Sequence, residues 1–143
     1  MNLKQYFDDT DGFGVLVTSD DEGLVNGAVY GRPHVLDDGT LAFIMRHRRS
    51  YRNLRSNPHA AYVFIEKGEG YSGKRFYLTS IKESGDAAVI EALRRRKRPE
   101  KAEGTETEGV SVVYFSVDAI RPLVGDGDPV SYTHLTLPTK RIV

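Results

Sequence analysis

Apolar and polar residues alternate along much of this chain with the two-residue period of strands. Phe13 to Ser19 (FGVLVTS) reads as a first strand, and the Asp20-Asp21-Glu22-Gly23 cluster that follows reads as a hairpin turn. Leu24 to Tyr30 (LVNGAVY) is a second strand; Gly31-Arg32-Pro33 bends it and His34 to Leu36 continues it. Asp37-Asp38-Gly39 turns into Leu41 to Met45 (LAFIM), where Leu41, Phe43 and Met45 point one way and Ala42 and Ile44 the other, so both faces should be buried. His59 to Ile65 (HAAYVFI), Lys74 to Lys82 (KRFYLTSIK) and Val110 to Val117 (VSVVYFSV) complete a set of six strands.

Helical signals are short. Leu3 to Asp8 can form one turn with Leu3, Tyr6 and Phe7 on one side. Ser50 is a good N-cap for a helix running from Tyr51 until Asn57-Pro58 stops it. Asp86 caps a third, whose Val89, Ile90 and Leu93 form an apolar stripe and whose basic end suits the helix dipole. Pro99 to Gly109 reads as a polar, mobile loop. Six strands with no βαβ alternation predict a mainly β protein, an antiparallel barrel rather than a doubly wound sheet.

Composition narrows the function classes. A chain of 143 residues is one domain, and 20 basic against 20 acidic side chains give it no global field toward nucleic acid or an anionic membrane. The lack of cysteine excludes disulfides, thiolate metal sites and a cysteine nucleophile. No stretch has signal-peptide or membrane-spanning character, so a soluble cytoplasmic protein is expected. The C-terminal VSYTHLTLPT is unlike what precedes it and back-translates to the end of a transposon-based sequencing adapter. Residues 130–143 are accordingly expected to be read-through rather than native sequence, leaving residues 1–129 as the domain, truncated near Pro129, with 18 basic and 20 acidic side chains.

Any preference for anions must then be local. The corner Arg46-His47-Arg48-Arg49-Ser50 sets several guanidinium groups beside a helix N-terminus, where exposed N–H groups and the helix dipole favour negative charge. It reads as a phosphate clamp or as a solvated strand-to-helix corner, and composition does not separate the two. Other motifs carry less. Gly68 to Gly73 matches G-x-G-x-x-G, but a strand-like segment follows where a dinucleotide site needs a helix. Arg94 to Arg98 has acidic neighbours and reads as a solvated helix end. The histidines show no metal spacing, and there is no G-x-S-x-G elbow.

The order of elements adds to this. A strand LAFIM, the corner RHRRS, a helix ending NLRSNP and the strand HAAYVFI resemble the pyridoxamine 5′-phosphate oxidase-like family of FMN-binding split barrels, from about Phe13 to Val117. The most specific part is NLxxNPxAAxxF, Asn53 to Phe64. The resemblance implies a six-stranded split barrel that forms a homodimer and binds FMN at the subunit interface. It places Arg48, Arg49 and Ser50 at the family's phosphate ligands, Ile44 and Met45 where strand backbone approaches the flavin, the Tyr30 to His34 segment, with Arg32, on a flavin-contacting strand, and Arg75 where the oxidases often carry a glutamine. Ser50 replaces the usual lysine of the clamp, and the substrate-holding R-L-x-P ending of the true oxidases is absent. The expectation is therefore an FMN-dependent oxidoreductase acting on a small molecule, with NAD(P)H or oxygen as partner, and not vitamin B6 oxidation specifically. Gly27-Ala28 would give the flat flavin ring a surface. A non-catalytic flavin- or haem-binding module of the same fold is the alternative, and a binder of nucleic acid or another anionic partner is a third.

Overall fold

The computed structural model describes residues 1–97 and 108–125, with the two-residue strand Val130–Ser131. Its alternating segments form strands close to where the sequence places them. In chain order the elements are α1 (Leu3–Asp9), β1 (Gly12–Ser19), β2 (Val25–Tyr30), β3 (His34–Val35), β4 (Leu41–Arg46), α2 (Arg49–Ser56), β5 (His59–Glu66), β6 (Gly73–Ser84), α3 (Ala87–Lys97), β7 (Val110–Pro122) and β8 (Val130–Ser131). The six expected strands are the long ones. β3 and β8 are two-residue additions. Most of the expected mobile loop and nearly all of residues 130–143 lie outside the described residues; the backbone of Val130–Ser131 pairs with Ala119 and Ile120 of β7.

All pairings are antiparallel, in the order β2-β1-β5-β6-β7-β4-β3. The sheet curls until its two ends meet. Tyr30, on β2 at one end of the order, sets its ring edge-on to Phe43 of β4 near the other, with centroids 5.7 Å apart. No ladder joins β2 to β4, so the barrel is split there. The inward rows of Leu16, Phe43, Met45, Tyr62, Phe64, Phe76, Leu78 and Phe115 fill it, because a strand with one face on a core must be apolar at every second position. α1 plugs one end with Leu3 and Phe7, and Tyr6 from the same helix donates to Glu66 of β5.

LAFIM is buried on both faces, as its composition requires. Leu41, Phe43 and Met45 enter the barrel, while Ala42 packs outside with Ile90 and Leu93 of α3 and Val110 and Val112 of β7, and Ile44 lies against that cluster. The cap of α3 is as expected: Asp86 Oδ1 accepts from the Ala88 N–H at 2.8 Å. The cap of α2 is not. The helix begins two residues earlier, so Arg48 holds the N-cap position without a side-chain hydrogen bond and Ser50 lies inside the first turn. That frees the Ser50 hydroxyl from backbone duty.

The inner rows are tightly fitted. The Tyr62 ring crosses directly over Gly14, and its hydroxyl donates to the carbonyls of Tyr30 at 3.0 Å and Gly31 at 2.8 Å. This pins the end of β2. Burial pushes the Tyr62 phenol up, with Arg32 opposing, and burial followed by the hydrogen bond to Glu66 does the same for Tyr6. No helix among the described residues is long and apolar enough to cross a membrane.

Two measurements check this packing. Gly14→Ala forces a methyl into the Tyr62 ring and should cost about 1–3 kcal/mol in urea denaturation, whereas Gly31→Ala, with open space around it, should be near neutral. A Gly14→Ala protein as stable as the parent would show that Tyr62 is not held there. Folded tyrosines whose protons are bound more tightly than in the unfolded chain stabilise the fold fully below the ordinary phenol value of about 10. Stability should therefore hold to that pH and fall as it rises further, and Tyr62→Phe should flatten the fall.

Candidate functional site

Two hydrogen bonds decide where α2 sits. Thr18 and Asn26 face each other across β1 and β2, on the inward side. Ser50 and Asn53 lie three apart on α2 and so share one face of it. The pairs meet: Asn53 Nδ2 donates to Thr18 Oγ1 at 3.1 Å, and Asn26 Nδ2 donates to Ser50 Oγ at 3.2 Å. Thr18, Ser50 and Asn53 are 2%, 4% and 6% exposed, so these bonds are made largely out of water, where a lost partner is costly. The rest of NLxxNP is likewise structural. Leu54 enters the core, Asn57 Oδ1 accepts from the His59 N–H at 3.1 Å, and the Pro58 carbonyl accepts from the Ser80 N–H at 2.7 Å.

So anchored, the N-terminus of α2 closes one end of the split between β2 and β4. The cleft there has a volume of about 470 Å³, bounded by Asn26 to Tyr30 of β2, Ile44 and Arg46 of β4, and Arg48, Arg49 and Ser50 at the start of α2. Gly27 and Ala28 contribute a stretch with almost no side chain. Arg46, Arg48 and Arg49 are exposed. Among the described residues none of the three forms an ion pair, and no carboxylate lines the cleft. Burial raises the Tyr30 phenol, with the charge of Arg48 acting against it.

The residues singled out from the sequence separate into two sets. Ile44, Arg48, Arg49 and Ser50 come together in the cleft. Met45 is fully buried in the barrel with its side chain turned away from it. Arg32 lies beside a different hollow, with Nη1 donating to the carbonyls of Phe7 at 2.8 Å and Thr10 at 3.2 Å, and with Asp11 3.7 Å away. Arg75 donates to the carbonyls of Pro122 and Gly125, each at 2.8 Å. Asn26 and Tyr30 line the cleft. Their inward alternation on β2 was readable, but the partner waiting across the split was not. His47, next to the clamp, turns away from the cleft: Nε2 meets Ser111 Oγ at 2.9 Å and the ring stacks on Tyr51 at 4.2 Å.

A curled antiparallel sheet, open between β2 and β4 and closed at one end by a helix N-terminus, defines the split-barrel class of mainly β proteins. Solved structures similar to this one bear that out. An F420 reductase aligns with a TM-score of 0.66 and 18% identity, over 82% of this chain and 94% of that one. An FMN-binding protein from Syntrophomonas wolfei aligns at 0.67 and 15%, over 87% and 85%. A protein from Listeria innocua assigned as a pyridoxamine 5′-phosphate oxidase aligns at 0.61 and 16%, over 83% and 93%. The fold of the FMN-binding split barrels is thus shared at low identity. No protein-family model matches the chain, and no curated protein matches it.

The anchoring is testable. Asn53→Ala removes the partner of a buried hydroxyl and should cost about 1–3 kcal/mol. Asn53→Ala with Thr18→Val should recover part of that loss, since no buried polar group is then left unpaired. Denaturant midpoints of the three variants decide it; equal midpoints for the parent and the single variant would leave α2 held by something else.

Proposed function

We propose that this protein binds FMN in the cleft between β2 and β4, with its phosphate at the start of α2, and acts as an FMN-dependent oxidoreductase on a small substrate. One observation carries the reading. Ser50 is 4% exposed, its oxygen accepts from Asn26, and among the described residues its own proton has no acceptor. A buried donor of this kind, beside three unpaired arginines and uncapped helix N–H groups, matches a phosphate monoester, which offers several acceptor oxygens and about two negative charges. The near-bare Gly27-Ala28 stretch then supports a flat ring. FMN supplies hydride chemistry when bound; the chain supplies orientation, charge and the walls of the cleft. The cysteine-free sequence suits a reducing cytoplasm.

The outward face of β2, β1, β5 and β6 supports the homodimer. Val25 and Val29 are 74% and 70% exposed, Phe13 is 49% exposed, and Val15, Val17, Ala61, Val63 and Tyr77 continue the same outward rows. No helix among the described residues covers that face, and a contiguous exposed apolar face is a common mark of an interface. Arg75 shares that face, directly across from Val63. The alternative is a non-catalytic flavin- or haem-binding module; among the described residues no carboxylate or histidine lines the cleft. The same lining offers haem iron no histidine, cysteine or methionine ligand.

Purified protein should be yellow or take up FMN, and NAD(P)H should bleach the bound flavin if it is an oxidoreductase. Bleaching followed by turnover with an acceptor supports the enzyme; bound flavin that no nicotinamide reduces supports the module. Replacing Arg48 and Arg49 together by alanine should weaken FMN by about 2–5 kcal/mol and leave riboflavin, which lacks the phosphate, unaffected. Equal loss for both ligands would place the phosphate elsewhere. Val15→Lys with Val29→Lys should convert a dimer to monomer in sedimentation; an unchanged state would exclude this face.

A further inference from the structure

We infer that Asn26 is a positioning residue for phosphate recognition: through Ser50, it makes the clamp select a phosphorylated flavin over an unphosphorylated one. The inference rests on the proposed placement of the FMN phosphate at the start of α2. A serine in the first turn of a helix often spends its hydroxyl on the backbone, as a cap or by bonding back to a carbonyl one turn earlier. Ser50 does neither. Its side-chain bond is with Asn26 Nδ2, 3.2 Å away, across the split from a different strand.

The direction of that bond matters. An amide NH₂ can only donate, so Ser50 Oγ is held as the acceptor and its proton must go elsewhere. Tyr30, Ala28 and Asn26 form the inward row of β2, and Ser50 sits behind Arg48 and Arg49 in the wall of the cleft. The vacant direction for the hydroxyl proton is therefore toward a ligand anion. Asn26 lies directly across from Thr18 of β1, whose hydroxyl Asn53 holds from α2. The same helix thus carries the hydroxyl that meets Asn26 on β2 and the amide that anchors it to Thr18 on β1. An exposed arginine contributes charge to any anion, but a buried hydroxyl of fixed polarity adds a directional requirement. Asn26→Asp reverses that polarity: the carboxylate takes the Ser50 proton and adds a negative charge beside the phosphate.

The experiment is titration of the full chain with FMN and with riboflavin, for the parent, Asn26→Ala, Asn26→Asp, Ser50→Ala and the Asn26→Ala/Ser50→Ala double variant. Thermal melts confirm that each is folded, and the nearly isosteric Asn26→Asp guards against a collapsed alanine variant. In the parent, FMN should bind more tightly than riboflavin. Asn26→Ala should lower FMN affinity on the order of tenfold with riboflavin affinity unchanged, and Asn26→Asp should lower it further. Because the amide acts through the hydroxyl, the double variant should lose little more than Ser50→Ala alone. Full additivity, an equal loss for both flavins, or no change in the ratio of the two affinities would each overturn the role of Asn26. A parent protein that binds riboflavin as tightly as FMN, or binds neither, would overturn the phosphate placement itself.

Discussion

The cleft depends on how one short helix is docked. α2 has eight residues, too few to be stable on its own in water, so its position comes from what it buries. Tyr51 and Leu54 supply the apolar part. The directional part is a pair of hydrogen bonds, from Asn53 to Thr18 and from Asn26 to Ser50, which sets the rotation of the helix and points its N-terminus at the split. Apolar packing alone tolerates sliding, whereas two buried polar pairs on adjacent strands accept one register.

Barrel closure sets the other wall. The sheet curls until Tyr30 touches Phe43, yet β2 and β4 share no ladder, so backbone and small side chains at Gly27 and Ala28 remain open to a ligand. Gly14 and Tyr62 hold that geometry by fixing the carbonyls at the end of β2. Among the described residues Arg46, Arg48 and Arg49 project from a corner that no carboxylate lines, whereas Arg32 and Arg75 are spent on backbone carbonyls. Of these five arginines, position in the fold brings three to the cleft and ties two to backbone carbonyls.

Much of the fold was legible in the residues. Two-residue alternation located all six long strands, and the double-sided apolar run of LAFIM foretold burial on both faces. The turn at Asp20 to Gly23 is as read, with Gly23 at φ 87°, a conformation glycine adopts freely. The cap of α2 was misread, since Ser50 has the right chemistry for an N-cap but is claimed by Asn26, which lies 24 positions earlier. Of the candidate site, the RHRRS corner was visible as a local density of charge. Asn26 was not, because nothing in its own neighbourhood marks it.

Sequence alone thus determined which segments are strands, which faces are apolar and where positive charge concentrates, all properties of residues close along the chain. Tertiary structure decided which arginines remain unpaired, that β2 and β4 face each other across an open split, and that a serine in a helix holds an unused proton. Those depend on side chains brought together from β2, β4 and α2, and no local pattern encodes such meetings.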